Sequence, residues 1–119
     1  MAFDPTSLIF DANGLIPVVA QDHLTGDVLM FAWMNASAVL QTLATGRVTY
    51  WSRSRKAFWI KGETSGHSQR LIELRIDCDR DCLLVLIEQT GPACHTNRRS
   101  CFYTAVRDGA EVEILAPQP

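Results

Sequence analysis

The apolar residues of this chain fall into short runs broken by turn-forming residues, which restricts it to small elements, most of them strands. Even the longest strictly apolar run, Val28 to Met34, is far too short to cross a bilayer. Pro17 to Gln21 and Val28 to Trp33 flank the polar Asp22-His23-Leu24-Thr25-Gly26-Asp27, predicting two strands around a turn. Val48 to Trp51 and Phe58 to Ile60 do the same around the basic Ser52-Arg53-Ser54-Arg55-Lys56. Leu71, Glu73, Arg75 and Asp77 alternate with Ile72, Leu74, Ile76 and Cys78, a half-buried strand in which Leu71 is out of pattern. Leu83 to Ile87 is uninterrupted and reads as a fully buried strand. Cys101 to Val106 and Val112 to Leu115 flank Arg107-Asp108-Gly109-Ala110 as a last hairpin, followed by a loose tail, Pro117-Gln118-Pro119. One segment has helical spacing: Val39, Leu40 and Leu43, with Asn35 as its cap and Gly46 as its stop. The expected architecture is α+β, mostly antiparallel sheet with one main helix.

A chain of 119 residues accommodates one domain, 1–119, with no separate cofactor-binding half. A domain this small leaves much apolar surface outside its core, so a homo-oligomer is expected. The net charge of -2 argues against a general nucleic-acid or membrane field and points to a metabolite partner. Met1 to Asp11 carries two aspartates and no Lys or Arg, the wrong charge for a targeting peptide, so a soluble cytoplasmic protein is expected. Four cysteines in that setting are metal ligands, reactive thiols or core fillers rather than a disulfide framework.

The strongest cluster is Cys78, Gly91-Pro92-Ala93-Cys94-His95 and Cys101, three thiols and an imidazole around turns. Thiolates suit zinc; three protein ligands with an open fourth position make a catalytic site, whereas all four cysteines together would close a structural one. Cysteine is also a small apolar core residue, the role expected of Cys82 at the head of an apolar strand. Asp77-Cys78-Asp79-Arg80-Asp81 sets three carboxylates at alternate positions. In an extended segment they share one face, with Cys78 on the other; they suit Mg²⁺, or else form a solvated acidic turn. Glu88 falls twelfth from Asp77, but Cys82 at the glycine position and the strand behind it exclude an EF-hand.

Tyr50-Trp51-Ser52-Arg53-Ser54-Arg55-Lys56, with Trp59, Lys61, Arg98 and Arg99, combines guanidinium groups for phosphates with indoles for a base. A solvated basic hairpin with core tryptophans explains the same composition. The glycine-bounded loop Gly62-Glu63-Thr64-Ser65-Gly66-His67 is either a phosphate-approaching loop or an ordinary turn. His23 and His67 are expected to face solvent, and His95, beside a thiol, is the candidate for acid/base work.

Taken together, Trp51-Ser52-Arg53-Ser54-Arg55, Lys61-Gly62-Glu63-Thr64-Ser65-Gly66, Asp77-Cys78-Asp79-Arg80-Asp81, Gly91-Pro92-Ala93-Cys94-His95-Thr96 and Arg98-Arg99-Ser100-Cys101-Phe102-Tyr103 resemble the phosphoribosyl-AMP cyclohydrolase family of histidine biosynthesis. The likeness runs from about Gly14 to residue 104. It implies an intertwined homodimer with zinc on Cys94 and Cys101 of one subunit and Cys78 of the other, and Mg²⁺ at Asp77, Asp79 and Asp81. Trp51, Arg53, Arg55, Lys61, Thr64, Ser65, Arg98 and Arg99 are the implied substrate contacts, and His95 the implied catalytic residue. The implied reaction is attack of zinc hydroxide on C6 of the N1-substituted adenine ring, which opens the N1–C6 bond to give a formimino aminoimidazole carboxamide ribonucleotide. Base deaminases attack a similar ring but carry a Pro-Cys-x-x-Cys signature that is missing here. The chain departs from the family pattern at His67, Cys82 and Asn97, where Asn, Ala and Gly are expected. The competing class is a non-enzymatic structural-zinc module in which the basic hairpin binds nucleotide or RNA.

Overall fold

A computed structural model describes residues 1–119. After a 3-10 turn at Pro5–Ser7 come β1 (Ile16–Asp22), β2 (Val28–Met34), α1 (Ala36–Thr45), β3 (Thr49–Ser52), β4 (Ala57–Ile60), β5 (Gln69–Ile76), β6 (Leu83–Gln89), β7 (Thr104–Arg107) and β8 (Ala110–Glu113). The main sheet has the order β2-β1-β6-β5, with β3–β4 and β7–β8 as separate two-stranded ribbons. Every pairing is antiparallel except β1 with β6. The fold is thus α+β, mostly antiparallel, with one α-helix.

Alternation decides which face is core. Ile16, Val18 and Ala20 of β1 and Leu83, Val85 and Ile87 of β6 are buried together, while the residues between them are only half-buried. Leu83 to Ile87 is therefore a strand with one open face rather than a fully buried one. The helix starts where the Asn35 side chain accepts from the Ala38 amide at 2.8 Å, and it stops at Gly46, whose φ of 74° is left-handed. It buries Ala38, Val39 and Thr42; the Thr42 hydroxyl also accepts from the Thr49 amide at 3.0 Å, fastening the helix to β3. Leu40 and Leu43, counted with the helical stripe on spacing, stay exposed.

Other expectations need correcting. A bulge between Leu71 and Glu73 reverses the phase of β5, so Leu71 packs on the core and Ile72 points out. Cys101 to Tyr103 lie outside the last hairpin. The tail is not loose, because the Gln118 amide donates to the Asn97 carbonyl at 2.8 Å and the Asn97 side chain donates back to the Gln118 carbonyl. Asn97 has φ of 66°, a left-handed position that explains the expected glycine there and that Asn also tolerates.

The loop after β4 depends on Gly62. Its φ is 80°, and a Cβ there would stand 2.3 Å from the Ser68 amide nitrogen and 2.4 Å from the His67 carbonyl carbon. Backbone cannot yield as a side-chain tip can. Gly62→Ala is therefore expected to destabilise the fold by about 3 kcal/mol or more. A thermal melt checks it, and an unchanged midpoint would contradict this packing.

Candidate active site

Cys94 and Cys101 are brought together by the 90–101 segment, a series of turns rather than an element. The Ala93 and Cys94 amides donate to the carbonyls of Arg99 and Arg98, and the Cys101 amide donates to Leu29 of β2 at 2.7 Å. Cys94 is buried and Cys101 exposed. Partial burial alone would raise the Cys94 thiol, but hydrogen bonds from Thr96 and Cys101 and the Lys61 ammonium bring it below the usual thiol range. Desolvation and the negative neighbour Cys94 push Cys101 up to about 11. Two neighbouring thiols, one of them with its pKa lowered, make a donor pair that suits a thiophilic cation.

Lys61 links this pair to the β3–β4 ribbon. Its ammonium donates to the Ala93 carbonyl, beside Cys94, and lies 5.6 Å from the centre of the Trp59 ring. Desolvation lowers its pKa, while Cys101 and Cys94 oppose that shift.

The carboxylates of Asp77, Asp79 and Asp81 converge with ligand oxygens within 4.8 Å of one another. The segment achieves this as a turn, so the one-face geometry of an extended segment does not apply. The Arg80 amide donates to the Asp77 carbonyl, Arg80 has φ of 66°, and the amides of Asp81 and Cys82 donate to Asp77 Oδ1 at 3.0 and 3.2 Å. Crowding raises Asp81 to about 6, chiefly through its contact with Asp79, while desolvation of Asp77 is outweighed by hydrogen bonds from Asp81 and Cys82. Three mutually repelling carboxylates converging on one point suit a hard cation. Arg80 braces the turn by donating to the Ser7 carbonyl at 3.1 Å and the Ser7 hydroxyl at 2.7 Å.

This triad is the only group of three or more potential metal-ligating side chains that one chain gathers. Cys78 is exposed on the acidic turn, and Cys82 is half-buried, its thiol raised by desolvation and by Asp77. The four sulfurs do not form a closed site within one chain. His95 is exposed beside Cys94, and Thr64 and Ser65 lie in the exposed loop between Gly62 and Gly66. His67 does not face solvent as expected: its ring packs on Gly91, where a Cβ would be 2.7 Å from Cδ2. Nor does His23, whose Nε2 is buried without a partner. Arg98 donates to the Leu115 carbonyl at 2.9 Å and stacks 4.0 Å from the Tyr103 ring centre. Arg99 holds Asp27 at 3.0 Å and Asp22 at 3.1 Å.

Trp51 and Arg53 line a cleft of about 590 Å³ whose other walls include Phe31, Trp33 and Trp59. Arg55 is exposed in the turn between β3 and β4. Phe31 and Trp33 belong to an apolar strand, and their aromatic faces carry no local signal separating a cleft from a core.

The α+β fold thus carries a thiol pair, a carboxylate triad and an aromatic cleft, the side-chain types of a small enzyme domain. Residues 30–103 match the family described as Phosphoribosyl-AMP cyclohydrolase. Proteins named phosphoribosyl-AMP cyclohydrolase from Cereibacter sphaeroides (strain KD131), Paracoccus denitrificans and Ruegeria pomeroyi are 81%, 74% and 71% identical. Each alignment covers 98% of this chain, and 98%, 96% and 98% of the respective relatives. The chain belongs to the phosphoribosyl-AMP cyclohydrolase family.

Proposed function

We infer that this chain is a hydrolase acting on a cyclic amidine C–N bond, the phosphoribosyl-AMP cyclohydrolase of histidine biosynthesis. The full-length identity of 81% to a relative of that name carries the reading. In the substrate a second ribosyl group on N1 makes the adenine ring amidinium-like, so C6 accepts water more readily than it does in AMP. Water adds at C6, and the tetrahedral intermediate collapses with cleavage of the N1–C6 bond while the exocyclic nitrogen stays attached.

Cys94 and Cys101, with Cys78 of the partner subunit, are the proposed holders of zinc, and the geometry fits to the extent that one chain pairs two sulfurs beside an ammonium. Zinc bound there supplies the activation of water. Lys61 offsets thiolate charge through its seat on the Ala93 carbonyl. His95, exposed next to Cys94, takes the proton from the attacking water. Arg53 and Arg55 in the exposed turn, with Thr64 and Ser65, are the proposed phosphate contacts; Arg98 and Arg99 hold the thiol-bearing segment through their ion pairs and share in substrate binding from its edge. Asp77, Asp79 and Asp81 hold Mg²⁺, a fit supported by their convergence. The working unit is a homodimer in the cytoplasm, and it gives the exposed Leu40, Leu43, Val106 and Val112 a partner.

The test is an absorbance assay of purified protein with phosphoribosyl-AMP, before and after chelation and after metal is restored. Turnover that vanishes on chelation and returns with zinc supports the reading; no turnover in metal-replete protein would end it. In the same assay His95→Ala is expected to lower turnover by about a hundredfold or more while zinc content is unchanged. Wild-type turnover in that variant would exclude the base.

A further inference from the structure

No residue after Ser100 is buried, and β8 is exposed along its whole length, so residues 101–119 add no buried side chain to the core. Their polar contacts nevertheless converge on two adjacent residues of the thiol-bearing segment, Asn97 and Arg98. The Arg98 side chain, only 12% exposed, donates to the Leu115 carbonyl at 2.9 Å, meets Glu113 at 3.1 Å and stacks on Tyr103. The Asn97 carbonyl accepts from the Gln118 amide at 2.8 Å, and the Asn97 side chain donates to the Gln118 carbonyl. Between these contacts the Ile114 amide donates to the Tyr103 carbonyl at 2.8 Å, tying the returning chain to the stretch just after Cys101.

The same two residues close the turn that holds Cys94. The Asn97 amide donates to the Cys94 carbonyl at 3.0 Å, and the Arg98 carbonyl accepts from the Cys94 amide at 3.1 Å. At φ of 66° Asn97 sits where glycine is the least strained residue, and its bond to Gln118 offsets that strain. We propose that residues 104–118 form a strap that positions Cys94 for the metal, with Asn97 as its buckle and Arg98 as its anchor. The proposal rests on the zinc reading above and adds what keeps the ligand segment in shape before metal arrives. Segment 90–101 contains no helix or strand of its own, so the placing of its sulfurs depends on the turns being held. A ligand set held in advance loses its cation more slowly than one free to swing away. Since the strap is secured by polar contacts and buries no side chain, it opens without unfolding the sheet.

The probe is zinc itself, followed as it leaves loaded protein for a colorimetric chelator, with amide exchange of metal-free protein as a second measurement. A chain ending at Pro117 loses both Gln118 contacts, and Gln118→Pro loses the amide donor alone. Each should release zinc about tenfold faster with a thermal midpoint close to that of the wild type. Asn97→Gly removes the side-chain contact while easing the backbone, so zinc should leave faster with little change in the midpoint, a split that a purely structural role would not give. Gln118→Ala keeps both backbone contacts and should match the wild type. In the metal-free chain ending at Pro117 the Cys94 amide should exchange faster, while the amides of β6 keep their rates. Wild-type zinc release in both that chain and Gln118→Pro overturns the strap, whatever the exchange rates, and leaves the zinc reading standing. Faster Cys94 exchange in the shortened chain, when even the full chain takes up no zinc, removes the metal from the site and leaves the strap.

Discussion

Cys94→Ser is expected to abolish zinc binding and turnover together, the largest effect of any single change in this chain. Cys94 is buried, receives the Thr96 hydroxyl at 3.0 Å and is the thiol of the pair whose pKa is lowered. Serine keeps the volume and the hydrogen bond but offers an alcohol that does not ionise near neutral pH. A three-ligand site reduced to two sulfurs loses its metal affinity by orders of magnitude. Cys82→Ala is the matched control. That thiol is half-buried just before β6, beside the acidic turn and apart from the Cys94–Cys101 pair, and its removal should leave zinc content and rate unchanged. Elemental analysis of both variants decides the matter; full zinc in Cys94→Ser would overturn the assignment.

A mixture of two dead variants should regain activity. Cys78 sits on the acidic turn, and one chain does not gather it with Cys94 and Cys101, so a three-thiol site requires a second copy. After subunit exchange, a heterodimer of Cys78→Ser and Cys94→Ser has one intact site: Cys78 from the second variant with Cys94 and Cys101 from the first. With random exchange about half the dimers are mixed and each has one good site of two, giving roughly a quarter of the wild-type rate. Mixed dimers that form and stay inactive would refute a shared site. The support for sharing is the separation of Cys78 from the pair.

The hairpins were legible because apolar runs and turn residues report local geometry directly, and Asn35 and Gly46 bounded the helix as their chemistry demands. What failed was phase. Nothing local in Leu71-Ile72-Glu73 announces a bulge, and nothing in Asp-x-Asp-x-Asp separates a strand from a turn closed by a left-handed Arg80. The candidate site was legible as a set of residue types, since thiols, carboxylates and guanidinium groups stand out by chemistry. Their partners were not: Arg99 meets Asp22 and Asp27, and Lys61 meets Ala93, across long stretches of chain. That Trp33 walls a cleft had no local signal either, since it is one apolar residue among many in β2.

The two ends of the chain are fastened to the two loops that matter most. Near the start, Ser7 is gripped by Arg80 of the acidic turn, and the Ile9 amide bonds to the Arg80 carbonyl. Near the finish, Gln118 is clasped by Asn97, between Cys94 and Cys101. Affinity tags, reporter fusions or circular permutation that pull on either end would therefore strain a candidate metal loop. The Asp108-Gly109 turn between β7 and β8 has no such tie to either loop, which separates strain on the loops from any effect on the hairpin itself.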